Sequence, residues 1–201
     1  MTHRPALDSA ESSSSSSHAI RPGTVLSPRH WPTLSGTPAV VPDPDAITHI
    51  QFRRFAGCPI CNLHLRSFVR GADELTAAGI REVVVFHSAL EELRKYESDL
   101  PFDVIPDPQK KLYREFGVEA GMRALLSPNV WWPLARGGGR SVLRLMRGRG
   151  PVPPLQPTGG GLGLPADFLV SAAGKVLAAH YGEHAYDQWP VDQVRRLAEQ
   201  A

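Results

Sequence analysis

Cysteine is scarce in this chain: Cys58 and Cys61 are the only two among 201 residues. Two thiols are too few for a secreted disulfide scaffold. No run of about 18 apolar residues occurs, so no membrane-spanning helix is expected. The first thirty residues carry no apolar stretch of leader type, and cytoplasm is the expected compartment. An excess of charge of one sign is missing as well. The net charge is only +2, which argues against a general polyanion binder, and no nucleic-acid partner is expected. Internal repeats are absent. The glycine triplets at 137–139 and 159–161 are not followed by Gly-Lys-Ser/Thr, so they form no phosphate loop. What remains is 21.9 kDa of chain, 42% hydrophobic, enough for one core and one domain with extensions.

Residues 1–45 hold a serine run, Ser12 to Ser17, and many prolines. That composition cannot bury enough apolar surface to fold alone and predicts a disordered N-terminal tail. Residues 46–201 are expected to form the folded domain. Ile47 to Phe55 reads as a strand. Cys61, Leu65, Phe68, Ala72 and Leu75 recur at helical spacing and predict one helix running to Gly79. Arg81 to His87 is a buried-type strand, and strand, helix, strand implies a parallel crossover. Helices are expected over Ala89–Leu100 and Pro108–Phe116, with a short extended piece at Phe102–Ile105 between them. Phe168–Val170 and Lys175–Tyr181 read as an antiparallel hairpin, and Asp187–Gln200 as a final amphipathic helix.

The two cysteines form Cys58-Pro59-Ile60-Cys61 at the predicted strand-to-helix junction. Unpaired backbone NH groups and the positive end of the helix dipole favour thiolate there. Pro59 suits the first helical position, where no NH is needed. Cys61 lies about one turn inward, close enough to form a disulfide and less exposed than Cys58. A redox pair is the preferred reading, with Cys58 attacking and Cys61 resolving. Inert buried thiols are the second reading. A metal site is the third, using Cys58, Cys61 and a histidine such as His64, with His87, His180 or His184 converging. Arg53 and Arg54 alternate across the strand, so at most one approaches the sulfur; Arg54 is the candidate, and Arg66 lies farther along the helix. His64 is expected to be exposed and His87 to be a hydrogen-bonded structural residue; none of the histidines is assigned to catalysis.

The order of strand, CxxC helix, βαβ unit, hairpin and terminal helix resembles the thioredoxin fold. That resemblance implies an α/β domain with a central mixed sheet, helices on both faces and one long insertion. Leu164-Pro165-Ala166-Asp167-Phe168 is similar to the segment carrying the cis-proline of that fold, which implies that Pro165 is cis and supports substrate. More specifically, Phe52 to Arg66, Val83 to Ser88 and Asp107 to Tyr113 resemble the peroxiredoxin-like AhpC/TSA family, from about Ile47 to the C-terminus. The resemblance implies a thiol-dependent antioxidant oxidoreductase that reduces hydroperoxides or disulfides through a Cys58/Cys61 dithiol-disulfide cycle. It also implies a thiol reductant such as a thioredoxin-like protein, and no cofactor. The chain has Gln51 and Phe55 where the peroxiredoxin Pro-x-x-x-Thr-x-x-Cys pattern has proline and threonine.

Between Ala120 and Gly163 the sequence holds six arginines and no acidic residue. This basic, Gly- and Pro-rich insertion is expected to act as a lid, with a weak membrane contact through 140–149 as the alternative.

Overall fold

The computed structural model describes residues 19–118 and 163–201. In chain order these form β1 (Arg29–Trp31), β2 (Ala39–Val41), β3 (Ile47–Arg53), α1 (Pro59–Arg70), α2 (Ala72–Ala77), β4 (Ile80–Phe86), α3 (Leu90–Tyr96), β5 (Asp103–Pro106), α4 (Lys111–Glu115), β6 (Ala166–Val170), β7 (Val176–Tyr181) and α5 (Val191–Glu199). The main sheet has the order β5-β4-β3-β6-β7. β3, β4 and β5 run parallel, whereas β6 is antiparallel to β3 and to β7. The crossover from β3 through α1 and α2 to β4 is the βαβ unit that the apolar run at Val83–Phe86 predicts.

Alternation along the strands builds two cores. Ile50, Phe52, Val83, Val85, Ile105 and Phe168 face α4, where they meet Tyr113 and Phe116. Val84, Phe86, Val104 and Leu169 face the opposite layer of α1, α2, α3 and α5, against Leu65, Leu93, Phe68, Leu75 and Val194. Each large apolar side chain removed from water this way contributes roughly 1.5–3 kcal/mol. The helix predicted to run from the cysteines to Gly79 is instead two, broken at Gly71. A Cβ there would lie 3.1 Å from Val191 Cγ1, so glycine lets α5 pack closely at the cost of helical continuity.

The tail boundary expected at 45 is corrected. Residues 1–18 lie outside the described residues, but β1 and β2 pair as an antiparallel ribbon. Trp31 and Val41 are buried in the α4-side core, and Trp31 meets Phe116 edge-on at 5.9 Å. A Pro- and Ser-rich segment has no core of its own; this one borrows the core of the domain. The basic insertion expected between Ala120 and Gly163 lies outside the described residues except for Gly163, and its expected roles go with it. Among the described residues no helix is long and apolar enough to cross a membrane.

Candidate functional site: a buried dithiol at the end of the central strand

β3 ends at Arg53, and the chain turns through Phe55, Ala56 and Gly57 to Cys58, the N-cap of α1. Pro59 occupies the first helical position as its sequence context predicts. Two side chains from beyond β4 hold the turn. Ser88 Oγ accepts the Ala56 NH at 2.9 Å, and Glu97 Oε1 accepts the Gly57 NH at 2.8 Å. Gly57 has φ 76°. A Cβ on it would sit 2.9 Å from Tyr96 Cδ1, so both conformation and space demand glycine. The Cys58 NH closes the turn on Phe55 O at 3.1 Å.

The environment separates the two thiols. Cys61 hydrogen-bonds the Cys58 sulfur, and this contact, with the Arg54 charge and the Ile60 and Cys61 amides, overcomes burial and lowers Cys58 to about 6. The sulfur makes no formal cap hydrogen bond; the amides act as nearby dipoles. Arg54 Nη1 stands 3.7 Å from Cys58 Sγ. Cys61, donating to an anionic neighbour and buried, is pushed well above the usual thiol range. One sulfur is therefore a thiolate and its neighbour a thiol, the asymmetry that attack and resolution require. Both cysteines are free.

The expected difference in exposure is not found: Cys58 and Cys61 are each 1% exposed. Ile60 and Ala185 bury them, with Phe55 and Tyr186 packed alongside. The segment after β7 supplies this cover, because Gly182, where a Cβ would meet Asp187 O at 2.5 Å, lets it fold back closely. Asp187 then ties it down by accepting the Glu183 NH at 2.8 Å and pairing with His180 Nε2 at 3.0 Å.

Pro165 is not cis: the cis peptide bond among the described residues is Val41–Pro42. Pro165 stands immediately before β6, where its missing NH removes no bond from within the strand. Its carbonyl accepts the Gly182 NH at 2.9 Å, so that carbonyl is not offered to a substrate.

Of the two arginines, Arg54 reaches the sulfur, as alternation allows. Arg53 points the other way and is fully buried, 2.8 Å from Asp167 Oδ1. It belongs to a polar cluster beneath α1. His49 Nδ1 lies 2.8 Å from Glu82 Oε2, and its Nε2 lies 3.4 Å from Asp167. Gln51 bridges Glu82 and Arg53. Burial opposes a charge on His49, but Glu82 and Asp167 outweigh it and raise it to about 9. Burial also opposes the Asp167 anion, and Arg53 and His49 reverse this, holding its carboxyl below the usual carboxylate range. Two cations thus face two anions. His49, Gln51 and Arg53 occupy alternate positions, a pattern that suggests a solvent-facing strand side. Glu82 and Asp167 on the neighbouring strands are what allow that side to be buried.

His64 is buried rather than exposed, against Phe68 and Tyr186. Burial, then Arg53, lowers it to about 3. His87 is also buried, and among the described residues neither ring nitrogen finds a hydrogen-bond partner, contrary to the expected hydrogen-bonded role. Burial, then Lys110, lowers it to about 4. Among the described residues no three His, Cys, Asp or Glu side chains group as metal ligands. A surface cleft of about 410 Å³ lies at the other end of the sheet, by Ala46, Gly79 and Arg81. It lies away from the sulfurs, and Arg81 there is already paired with Asp43 and Asp103.

A family model described as AhpC/TSA antioxidant enzyme matches residues 67–184, more than half of the chain. Both cysteines precede the matched stretch. No curated protein matches the sequence. Peroxidoxin BcpB from Mycobacterium tuberculosis superposes with a TM-score of 0.63 at 18% identity, covering 91% of this chain and 98% of its own. A variant of peroxiredoxin 6 of Arenicola marina gives 0.64 at 11% identity, with 90% and 73% covered. A protein from Chlorobium tepidum named as thiol:disulfide interchange protein DsbE gives 0.52 at 19% identity, with 90% and 95% covered. At these identities the likeness establishes a thioredoxin-like, peroxiredoxin-type fold.

Proposed function

The chain belongs to the AhpC/TSA antioxidant enzyme family, and we propose that it reduces hydroperoxides, or small disulfides, through a Cys58/Cys61 cycle. The observation that carries this reading is the pairing of a thiolate held beside Arg54 with a protonated thiol that hydrogen-bonds it. Inert thiols would have no use for such an arrangement.

In the first step the Cys58 thiolate attacks the distal oxygen of ROOH. The O–O bond breaks, a proton goes to the departing oxygen, and Cys58 sulfenic acid and ROH result. Arg54 supplies donors for the negative charge developing on that oxygen, a task that Phe55 cannot share. In the second step the Cys61 sulfur displaces hydroxide from the sulfenic acid, giving the Cys58–Cys61 disulfide and water. A thioredoxin-like dithiol or a low-molecular-weight thiol then reduces the disulfide and is itself oxidised. No cofactor enters, and the cytoplasm would supply such reductants. The cover of Phe55 and Tyr186 favours a small oxidant over a protein disulfide, which would need that cover displaced. Pro165 is assigned to supporting the site through the Gly182 contact.

Cys61→Ser removes the resolving sulfur and leaves the attacking one. After one equivalent of hydroperoxide, this variant should accumulate a dimedone adduct on Cys58. An unmodified Cys58 in a folded variant would dismiss the peroxidase reading.

A further inference from the structure

Glu97 has no role in the cycle above, yet it is bonded to the residue that precedes the nucleophile. It caps the C-terminal end of α3 and is 2% exposed. Its carboxyl accepts the Gly57 NH at 2.8 Å. A carboxylate is poorly placed here on three counts. It is removed from water. It sits at the negative end of a helix dipole. It also shares its surroundings with a thiolate.

The charges facing it do not relieve the conflict. From α1 comes Arg66, which Asp99 already engages at 2.8 Å. From the segment after α3 comes Asp99 itself, a second anion. From the turn come Cys58 and the uncharged Gly57 amide, and the neighbouring side chain of α3 is the Tyr96 ring against Gly57. The cation beside the sulfur is Arg54, at 3.7 Å.

We propose that Glu97 is a positioning residue that fixes the Cys58 turn as a neutral carboxylic acid while Cys58 carries the charge, so that the two groups compete to ionise. Burial, with Asp99 and Cys58 behind it, outweighs the Gly57 hydrogen bond and Arg66, and raises Glu97 to about 7. By linkage the coupling is reciprocal. Disulfide formation removes the sulfur anion, so Glu97 loses its proton more readily in the oxidised protein, and reduction returns that proton.

The inference deepens the dithiol reading and takes its biological meaning from it, but its readout needs no turnover. Thiolate absorbance at 240 nm is followed against pH in the wild type and in Glu97→Gln, which keeps an acceptor for the Gly57 NH. Cys58→Ser serves as the blank. The wild type should titrate over a broadened, two-step range. Glu97→Gln should give a single step with its midpoint at lower pH. Superimposable curves from two folded proteins would reduce Glu97 to a structural hydrogen-bond acceptor and overturn the proposal. If Glu97→Gln does not fold, the wild type alone decides. Reduced-minus-oxidised infrared spectra near pH 7 should show a protonated carboxyl band in the reduced form, and its absence refutes the proposal. Peroxide consumption with superimposed titrations would sink only this inference. Differing titrations without peroxide consumption would sink only the catalytic reading.

Discussion

Arg54→Met tests whether a single cation keeps Cys58 ionised. The guanidinium lies 3.7 Å from the sulfur. Unit charges at that separation interact by about 4.5 kcal/mol at an effective dielectric near 20. At 1.36 kcal/mol per pKa unit this sets a ceiling of about 3 on the change, and neighbouring opposite charges generally move a pKa by roughly 1–3. Methionine has similar length and fills the space without the charge. The backbone bond from the His87 NH to Arg54 O is untouched by the substitution. A rise of about 2 from a starting value of about 6 lowers the thiolate fraction at pH 7 from about nine-tenths to about one-tenth. Rate alone discriminates poorly. A more basic thiolate is also more nucleophilic, with a Brønsted slope of about 0.4–0.5, and most of the tenfold loss is offset. The decisive assay is therefore thiolate absorbance against pH, with circular dichroism as the folding control. A Cys58 midpoint unchanged in folded Arg54→Met would show that the Cys61 hydrogen bond and the helix amides suffice without the arginine.

Asp167→Asn should cost about 3–5 kcal/mol in urea denaturation, because Arg53 and His49 would keep their charges in the buried cluster with Glu82 as the remaining anion. A loss below about 1 kcal/mol would show that the cluster is not held by its charge balance. Stability should also fall on the acid side. His64 and His87 are lowered to about 3 and about 4 in the fold. Each therefore leaves stability intact above its unfolded pKa near 6.5 and erodes it as pH falls toward the folded value, by up to about 1.4 kcal/mol per pH unit per histidine. Denaturation midpoints at pH 7 and pH 5 should differ in the wild type, and the difference should shrink in His64→Phe. A difference that does not shrink in folded His64→Phe would place the acid sensitivity elsewhere.

The placement of Cys58 was readable from the chain, because its causes are local. An apolar strand, a small turn and Pro59 after the cysteine deliver the sulfur to a helix start whatever the rest of the molecule does. That no more than one of Arg53 and Arg54 would reach the sulfur followed from strand alternation in the same way; that it is Arg54 is set by Asp167, which holds Arg53 on the other side. Residues acting across the fold were not readable. Ser88 and Glu97 reach the turn from 32 and 40 positions away, and nothing in the sequence around either marks it. The burial of the His49, Gln51 and Arg53 side was not readable either, because its partners Glu82 and Asp167 come from two other strands. The β1–β2 ribbon was missed for a related reason: its Pro- and Ser-rich composition describes the core it lacks, whereas Trp31 and Val41 use the core around Phe116. The two thiols also shared one exposure against expectation, since the cover of Ala185 and Tyr186 arrives from the far end of the chain.

Peptide mapping after one equivalent of hydroperoxide tests the dithiol cycle most directly. The account predicts a peptide lighter by two hydrogens that links Cys58 to Cys61, reversed by a dithiol reductant. Two cysteines that remain reduced and take up alkylating reagent on unfolding would contradict it.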